Sequence, residues 1–137
     1  MTRRVFVDTG ALLALASPSD QYHAAAVRTA RGLTKDGATL VGTTLILGEL
    51  HTLLLYRRNA ETARRVVAAV LDDPAYEWLE TTAELAREAT AAWLERFADQ
   101  RFTLTDAVSF EVMRRAKLKA AFAFDQHFVT AGFELVK

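Results

Sequence analysis

The sequence predicts an α/β fold, with a mostly parallel central sheet of four to five strands that is covered by helices on both faces. Short apolar runs alternate with longer alanine- and leucine-rich stretches, and strands that alternate with helices are typical of parallel sheets. The 137 residues are 51% hydrophobic and 25% charged and include two prolines, a composition typical of globular proteins. We therefore expect a single domain that spans residues 1–137.

The chain opens with a strand that leads directly into a helix. Residues 5–7 form a short apolar run, which predicts a buried strand, and residues 10–16 include no β-branched side chain, which favours a helix. After a break, Ser19 or Asp20 is expected to cap the next helix.

Polar and turn-forming residues separate the later elements. Residues 35–37 predict a turn, and Thr43 or Thr44 is expected to cap the helix that follows the second strand. Asn59 is expected to start the next helix, which ends before residues 72–74. The predicted elements after the first helix are a helix over 22–33, a strand over 38–42, helices over 45–58 and 59–71, a strand over 76–81, helices over 83–98 and 105–116, and strands over 120–124 and 133–136.

Charge and composition limit the possible classes of protein. Seventeen basic and 17 acidic side chains cancel, so no global positive field favours a nucleic acid. The absence of cysteine excludes disulfides and thiolate metal sites and fits a reducing cytoplasm. No stretch approaches the roughly 18 apolar residues of a membrane span, and we predict neither a span nor a signal peptide.

Two aspartates follow predicted strands. Asp8 stands where the first strand stops, and Asp125 follows the strand over 120–124. The carboxyl ends of parallel strands meet at the edge of the sheet where ligands bind in α/β folds. A purely structural alternative stays open for each residue: Asp8 with Thr9 caps the next helix, and Asp125 forms a turn.

Two further acids occur in predicted helices. Glu49 lies within an apolar run and has no cation three or four residues away. Desolvating such an acid is costly, which implies a metal or an arginine as its partner, unless it lies at the edge of the apolar stripe with its carboxylate in water. Asp106 follows Thr103 by three residues at a helix start, a pattern that resembles a capping box.

The predicted topology places all four acids at one edge of the sheet. The helices that contain Glu49 and Asp106 both begin near the carboxyl ends of the strands. Four carboxylates that crowd together repel one another, and a hard divalent cation is the usual remedy. With oxygen ligands and no cysteine, Mg²⁺ or Mn²⁺ is the natural ion.

These segments together resemble a PIN domain. The resemblance rests on VDTGALLAL with Asp8, on Glu49 in its apolar helix, on TLTDAVSF with Asp106 and on FAFDQHFVTAGF with Asp125. The resemblance covers nearly the whole chain, and the four motifs occur in the order that the family has. Within the family, the size of the chain and the spacing of the motifs are similar to those of stand-alone toxin nucleases of the VapC type. The resemblance implies a PIN-like three-layer α/β/α sandwich.

The resemblance also implies a function, namely a Mg²⁺-dependent endoribonuclease that acts as the toxin of a type II toxin-antitoxin pair. In this family the four acids form the active site. By this similarity Asp8 and Asp106 are metal ligands, while Glu49 and Asp125 bind a second ion or its water. Thr9 matches the hydroxyl residue that supports the first acid.

The partners implied by the family are RNA, a small VapB-like antitoxin that blocks the active-site groove, and a second copy of the chain in a homodimer. The predicted pair of helices over 45–71 offers a surface for such a partner. Its arginines are suited to acidic groups or phosphate; they are Arg57, Arg58, Arg64 and Arg65.

Three other functions fit the sequence less well. Asp8-Thr9-Gly10 resembles the active-site loop of aspartic proteases, but that fold is built almost wholly of strands. A haloacid-dehalogenase-like phosphatase requires a second aspartate where Gly10 stands. A non-catalytic PIN-fold binding or scaffold protein is the serious alternative, and the presence of all four acids argues against it.

The histidines and the aromatic residues have no assigned role in this scheme. His23, His51 and His127 show no mutual ligand spacing, and we expect surface or boundary positions for them, although His127 follows Asp125 by only two residues. The tryptophans and phenylalanines are expected in the core, with no base-stacking platform.

Overall fold

Five short strands form the central sheet, which the computed structural model describes within residues 3–136. The first two residues and the last residue of the expected domain 1–137 lie outside the described part. The strands are β1 (Arg4–Val7), β2 (Thr39–Thr43), β3 (Tyr76–Leu79), β4 (Ala120–Phe122) and β5 (Glu134–Leu135). All of them are parallel, in the order β3-β2-β1-β4-β5.

Helices connect each strand to the next. They are α1 (Thr9–Ala16), α2 (His23–Lys35), α3 (Thr44–Arg57), α4 (Ala60–Asp72), α5 (Ala83–Ala89), a π-helical segment (Thr90–Glu95), α6 (Leu104–Ala116) and α7 (His127–Thr130). Of the helices in residues 3–136, none has the length and apolar character needed to cross a membrane.

The predicted elements all occur, with local differences. The π-helical segment replaces the second half of the helix predicted over 83–98. At its start, Thr90 Oγ1 donates a hydrogen bond to the Ala86 carbonyl at 2.8 Å, and such side-chain bonds compete with regular helix bonding. Strand β3 is shorter than predicted, because the Thr81 amide donates to Thr44 Oγ1 at 3.0 Å instead of extending the strand. The short helix α7 was not predicted.

Two of the predicted helix caps also differ. The residue that precedes α2 is Tyr22, not Ser19 or Asp20. Thr43 precedes α3 without a capping bond from its side chain. By contrast, Asn59 Oδ1 accepts a hydrogen bond from the Thr62 amide at 2.8 Å, which confirms the predicted start of α4.

The strand order determines which face each helix covers. The chain steps outward from β1 to β2 and β3, then returns to β4 on the other side of β1 and continues to β5. Because crossovers between parallel strands are right-handed, the two directions place α1 to α4 on one face and α5 to α7 on the other. This is the three-layer sandwich that the sequence predicted, with a sheet that is wholly rather than mostly parallel.

Strand β1 is the centre of the core. Val5, Phe6 and Val7 have no solvent exposure, as expected for a strand that is paired on both sides and covered on both faces. The adjoining amide of Asp8 donates to the Phe122 carbonyl at 3.0 Å, so β4 also holds the residue that follows β1. This bond fixes the backbone where the predicted site begins.

A buried carboxylate attaches helix α6 to the π-helical segment. Glu111, 2% exposed, accepts hydrogen bonds from Trp93 Nε1 at 3.2 Å, Arg114 Nε at 3.0 Å and Arg115 Nε at 2.7 Å. The hydrogen bond from Arg114 is the main reason why the pKa of Glu111 is lowered. Arg115 also pairs with Glu88 of α5. Helix α6, whose first turn contains the predicted ligand Asp106, is therefore attached to the elements before it.

Replacing Gly42 with alanine is expected to destabilise the sheet. Gly42 of β2 lies beside Trp78 of β3, and an added Cβ would overlap the indole ring. The ring has little freedom to move, because it stacks on Tyr76 at 5.5 Å and its Nε1 donates to the Val70 carbonyl at 2.9 Å. Denaturant unfolding should show a loss of about 1–3 kcal/mol for Gly42→Ala.

Gly32→Ala is the matched control, because Gly32 is exposed in α2 and an added Cβ meets only open space. It should leave stability equal or raise it by about 0.5–1 kcal/mol. Equal stabilities for Gly42→Ala and the unchanged protein would contradict the packing described here.

Candidate metal-binding active site

The four predicted acids come from both helical layers and the sheet and meet at one edge. Asp8 follows β1, Asp125 follows β4, Glu49 is in α3 and Asp106 is in the first turn of α6. The charges of the other three all act on Asp8. The edge lies where the strand order reverses between β1 and β4, which is the position where open α/β sheets bind ligands.

Asp8 is buried, and the charges of the other three acids reach it. Its exposure is 7%, and although Asp8 is the residue that precedes α1, its side chain accepts no N-cap hydrogen bond, so the structure does not support the helix-cap alternative. The pKa of Asp8 is raised from 3.8 to about 7, mainly by burial and further by the charges of Asp106, Glu49 and Asp125, while a hydrogen bond from the Thr9 backbone partly opposes the rise. A charged Asp8 therefore needs a cation.

Asp106 forms the predicted capping box and also belongs to the acid group. Its amide donates to Thr103 Oγ1 at 3.1 Å, and its Oδ2 accepts from the Thr103 amide at 3.0 Å. The same Oδ2 lies 3.2 Å from His127 Nδ1. Because both contacts involve Oδ2, Oδ1 has no hydrogen-bond partner within residues 3–136 and is available to a cation.

Asp125 likewise combines a turn with a position in the site. Its Oδ1 accepts from the His127 amide at 2.8 Å, which is the turn that the sequence offered as an alternative. Its Oδ2 lies 3.6 Å from His127 Nδ1. Ligand atoms of Asp106, Asp125 and His127 all lie within 4.8 Å of one another, a spacing that suits a metal ion.

His127 has the half-buried boundary position that the sequence predicted, but it also faces the acids, a contact that the sequence analysis did not predict. The edge of Phe102 packs against its imidazole at a centroid distance of 5.2 Å, and Nδ1 is directed at the two aspartates. The only sequence signal was its position two residues after Asp125. That signal was weak, because the unpredicted helix α7 is what places the ring beside Asp106.

Glu49 lies at the rim of the site. It is half-buried and lines a groove of about 480 Å³ with Thr44, Thr52 and Thr105, among other residues. No arginine, lysine or histidine among residues 3–136 forms a salt bridge with it, so the arginine that the sequence allowed as its partner is not found in the described chain. The half-buried position leaves the other two alternatives open, namely a carboxylate in water at the edge of the apolar stripe or a cation bound from solution.

Thr9 brings a hydroxyl to the same place. The residue is 2% exposed, and its Oγ1 is buried without a hydrogen-bond partner in the described part of the chain. A buried hydroxyl without a partner next to a buried carboxylate is costly unless something fills the gap. The donor set consists of carboxylate and hydroxyl oxygens with one imidazole, and it fits a hard divalent ion such as Mg²⁺ or Mn²⁺.

The raised pKa of Asp8 predicts how stability varies with pH in metal-free buffer. Between pH 4 and 7 the folded protein keeps a proton on Asp8 that the unfolded chain releases, so stability should fall as the pH rises and level off above about pH 8. Asp8→Asn should remove this fall and be more stable than the unchanged protein at pH 8, by up to roughly 4 kcal/mol.

Denaturant unfolding in EDTA at several pH values measures this effect. Asp99→Asn, which alters an exposed carboxylate, serves as the control and should keep the original pH dependence. The assignment of Asp8 as a buried acid with a raised pKa fails if Asp8→Asn is the less stable protein at pH 8.

Comparison with known proteins agrees with this geometry. The PIN domain family matches residues 5–134. The chain is 35% identical to the 23S rRNA-specific endonuclease VapC20 of Mycobacterium tuberculosis over 134 residues. This alignment covers 97% of this chain and 98% of that protein.

Solved structures show the same likeness. The crystal structure of Mycobacterium tuberculosis VapC20, a sarcin-ricin loop cleaving toxin, matches with a TM-score of 0.84 and 32% identity over 94% of this chain and 95% of that chain. VapBC2 from Rickettsia felis, bound to a DNA fragment from their promoter, matches with a TM-score of 0.70 and 12% identity over 96% of each chain, a likeness of fold alone. The chain belongs to the PIN-domain family.

Proposed function

We propose that this PIN-domain protein is a metal-dependent endoribonuclease of the VapC type and the toxin of a type II toxin-antitoxin pair. The observation that carries the proposal is the buried Asp8, surrounded by three further acids at the edge of the sheet where the strand order reverses. A protein that only binds or scaffolds has no need to keep such mutually repelling groups together, so that alternative is less well supported.

In this proposal the acids hold Mg²⁺, or Mn²⁺ in its place. Asp8 and Asp106 are the principal ligands, Glu49 and Asp125 serve a second ion or its water, and Thr9 supports Asp8. When bound, such ions polarise the phosphoryl oxygen, activate water and stabilise the leaving oxygen in phosphodiester hydrolysis. The protein's own task is to present charged carboxylates at fixed positions.

We also assign His127 a positioning role. Its Nδ1 and the Thr103 amide both contact Oδ2 of Asp106, which fixes the orientation of that carboxylate and leaves Oδ1 free to bind. Partners of this kind orient the ligands of a metal and strengthen its binding.

The substrate is proposed to be 23S ribosomal RNA at its sarcin-ricin loop, by similarity to VapC20. The protein partners are a VapB-like antitoxin and a second copy of the chain, and the site of action is the cytoplasm, where ribosomes are found. We further propose that residues 1–137 act as one domain. The predicted surface for the antitoxin lies on α3, α4 and their connection, where four arginines are exposed; they are Arg57, Arg58, Arg64 and Arg65.

Cleavage of an RNA hairpin with the sarcin-ricin sequence tests the function. The purified protein should cut it with Mg²⁺ or Mn²⁺ and fail to do so in EDTA. Asp8→Asn and Asp106→Asn should each lower the rate by roughly 100-fold or more, because each removes a charge that a cation needs. His127→Gln should lower it by roughly tenfold, as expected for a residue that acts through a ligand.

Asp99→Asn should cut at the normal rate, and circular dichroism should establish that each variant is folded. Cleavage of the RNA that continues in EDTA, or that survives in Asp8→Asn, would contradict the assigned site. If folded, metal-loaded protein free of antitoxin leaves every RNA intact, the non-catalytic alternative is favoured.

A further inference from the structure

An exposed pair of aromatic rings lies beside the candidate active site. The rings of Tyr22 and Phe124 are stacked, with centroids 4.6 Å apart and planes within 4° of parallel. Tyr22 is 43% exposed, and Phe124 is half-buried. Phe124 packs against the hydrophobic core, as the sequence analysis expected of the phenylalanines, but its stack with an exposed tyrosine was not predicted.

The pair belongs to the same edge of the sheet as the acids. Phe124 immediately precedes Asp125, so their Cα atoms are about 3.8 Å apart. Two residues earlier, the carbonyl of Phe122 accepts the hydrogen bond from the Asp8 amide. The stacked pair is therefore attached to the end of β4 that adjoins Asp8 and Asp125, the acids of the proposed nuclease site.

Hydrogen bonds fix the Tyr22 backbone, and the stacking contact restrains both rings. The Tyr22 amide donates to Asp20 Oδ1 at 2.8 Å, and the Tyr22 carbonyl accepts from Ala26 in the first turn of α2, also at 2.8 Å. Phe124 packs edge-on against Phe122 at a centroid distance of 6.3 Å. A ring that is already immobilised loses little conformational entropy when a ligand stacks on it.

We propose that Tyr22, supported by Phe124, is a stacking platform for an unpaired RNA base next to the cleaved bond. The inference rests on the proposed ribonuclease function and adds a contact that determines affinity. An aromatic face accepts any base, so it selects for splayed, single-stranded nucleotides rather than for sequence. Loops of a hairpin present such bases, whereas a regular duplex keeps them stacked inside.

Tyr56 provides a matched control. It is 82% exposed, at the end of α3. Since α3 begins at the carboxyl edge of the sheet, this end lies away from the acids. Tyr56 belongs to the surface proposed for the antitoxin, so in an RNA-binding assay without antitoxin its replacement removes an exposed tyrosine and leaves the platform intact.

Binding is best measured apart from cleavage. The Asp8→Asn variant with Mg²⁺ serves as the background protein, so that the RNA is bound but not cut. Fluorescence anisotropy of a labelled hairpin should show that adding Tyr22→Ala raises Kd by roughly tenfold, within the range expected for loss of one base stack. Tyr22→Phe and Tyr56→Ala should bind like the background protein. Thermal unfolding of each variant establishes that it is folded.

An abasic series of the same hairpin identifies the base. At one loop position, removal of the base should weaken binding to the background protein and have no further effect once Tyr22→Ala is present. The platform is ruled out if Tyr22→Ala binds the hairpin normally, or if Tyr22→Phe loses as much affinity as Tyr22→Ala. It is also ruled out if the affinity lost at every abasic position adds in full to the affinity lost in Tyr22→Ala. It is equally ruled out if Tyr22→Ala weakens only the binding of the antitoxin.

The cleavage assay distinguishes failure of the platform proposal from failure of the proposed ribonuclease function. A protein that cuts RNA but binds equally well without Tyr22 keeps the nuclease proposal and loses the platform. A protein that binds RNA through Tyr22 but never cuts it keeps the platform and loses the nuclease proposal.

Discussion

The structure depends on a carboxylate placed where a carboxylate is least stable. Asp8 follows the buried residues Val5, Phe6 and Val7 of β1, and burial, together with the charges of three neighbouring acids, raises its pKa to about 7. Protein groups within residues 3–136 supply no salt bridge to Asp8 or Glu49. The arrangement is unfavourable in the protein alone and becomes favourable when a divalent cation supplies the missing charge.

The strand order explains how distant residues reach this point. Because β1 lies between β2 and β4, one helical layer brings Glu49 to the edge and the other brings Asp106, while β4 delivers Asp125. The carboxylates of Asp106 and Asp125 take part both in local hydrogen bonds and in the candidate site. The capping box of Asp106 and the turn of Asp125 orient these side chains, so the structural and the functional interpretations of each residue are compatible rather than opposed.

Much of this was accessible from the sequence, because it depends on local pattern. Alternating apolar and helical stretches predicted the layers, and the position of Asp8 after an apolar strand predicted the edge. The π-helical segment and α7 were missed, since they depend on tertiary contacts such as those of Trp93 with Glu111 and of His127 with Asp106. The stack of Tyr22 on Phe124 joins residues about a hundred positions apart, and no local pattern reports such a contact.

The claim that the acids form a metal centre is tested most directly by locating an ion. Anomalous diffraction from crystals soaked in Mn²⁺ should reveal a site bound by carboxylate oxygens of both Asp8 and Asp106, at roughly the 2.0–2.2 Å distances typical of such oxygen ligands. The same soak of Asp8→Asn crystals should lose that peak. An ion bound elsewhere, or a Mn²⁺ peak that persists unchanged without the Asp8 carboxylate, would contradict the account.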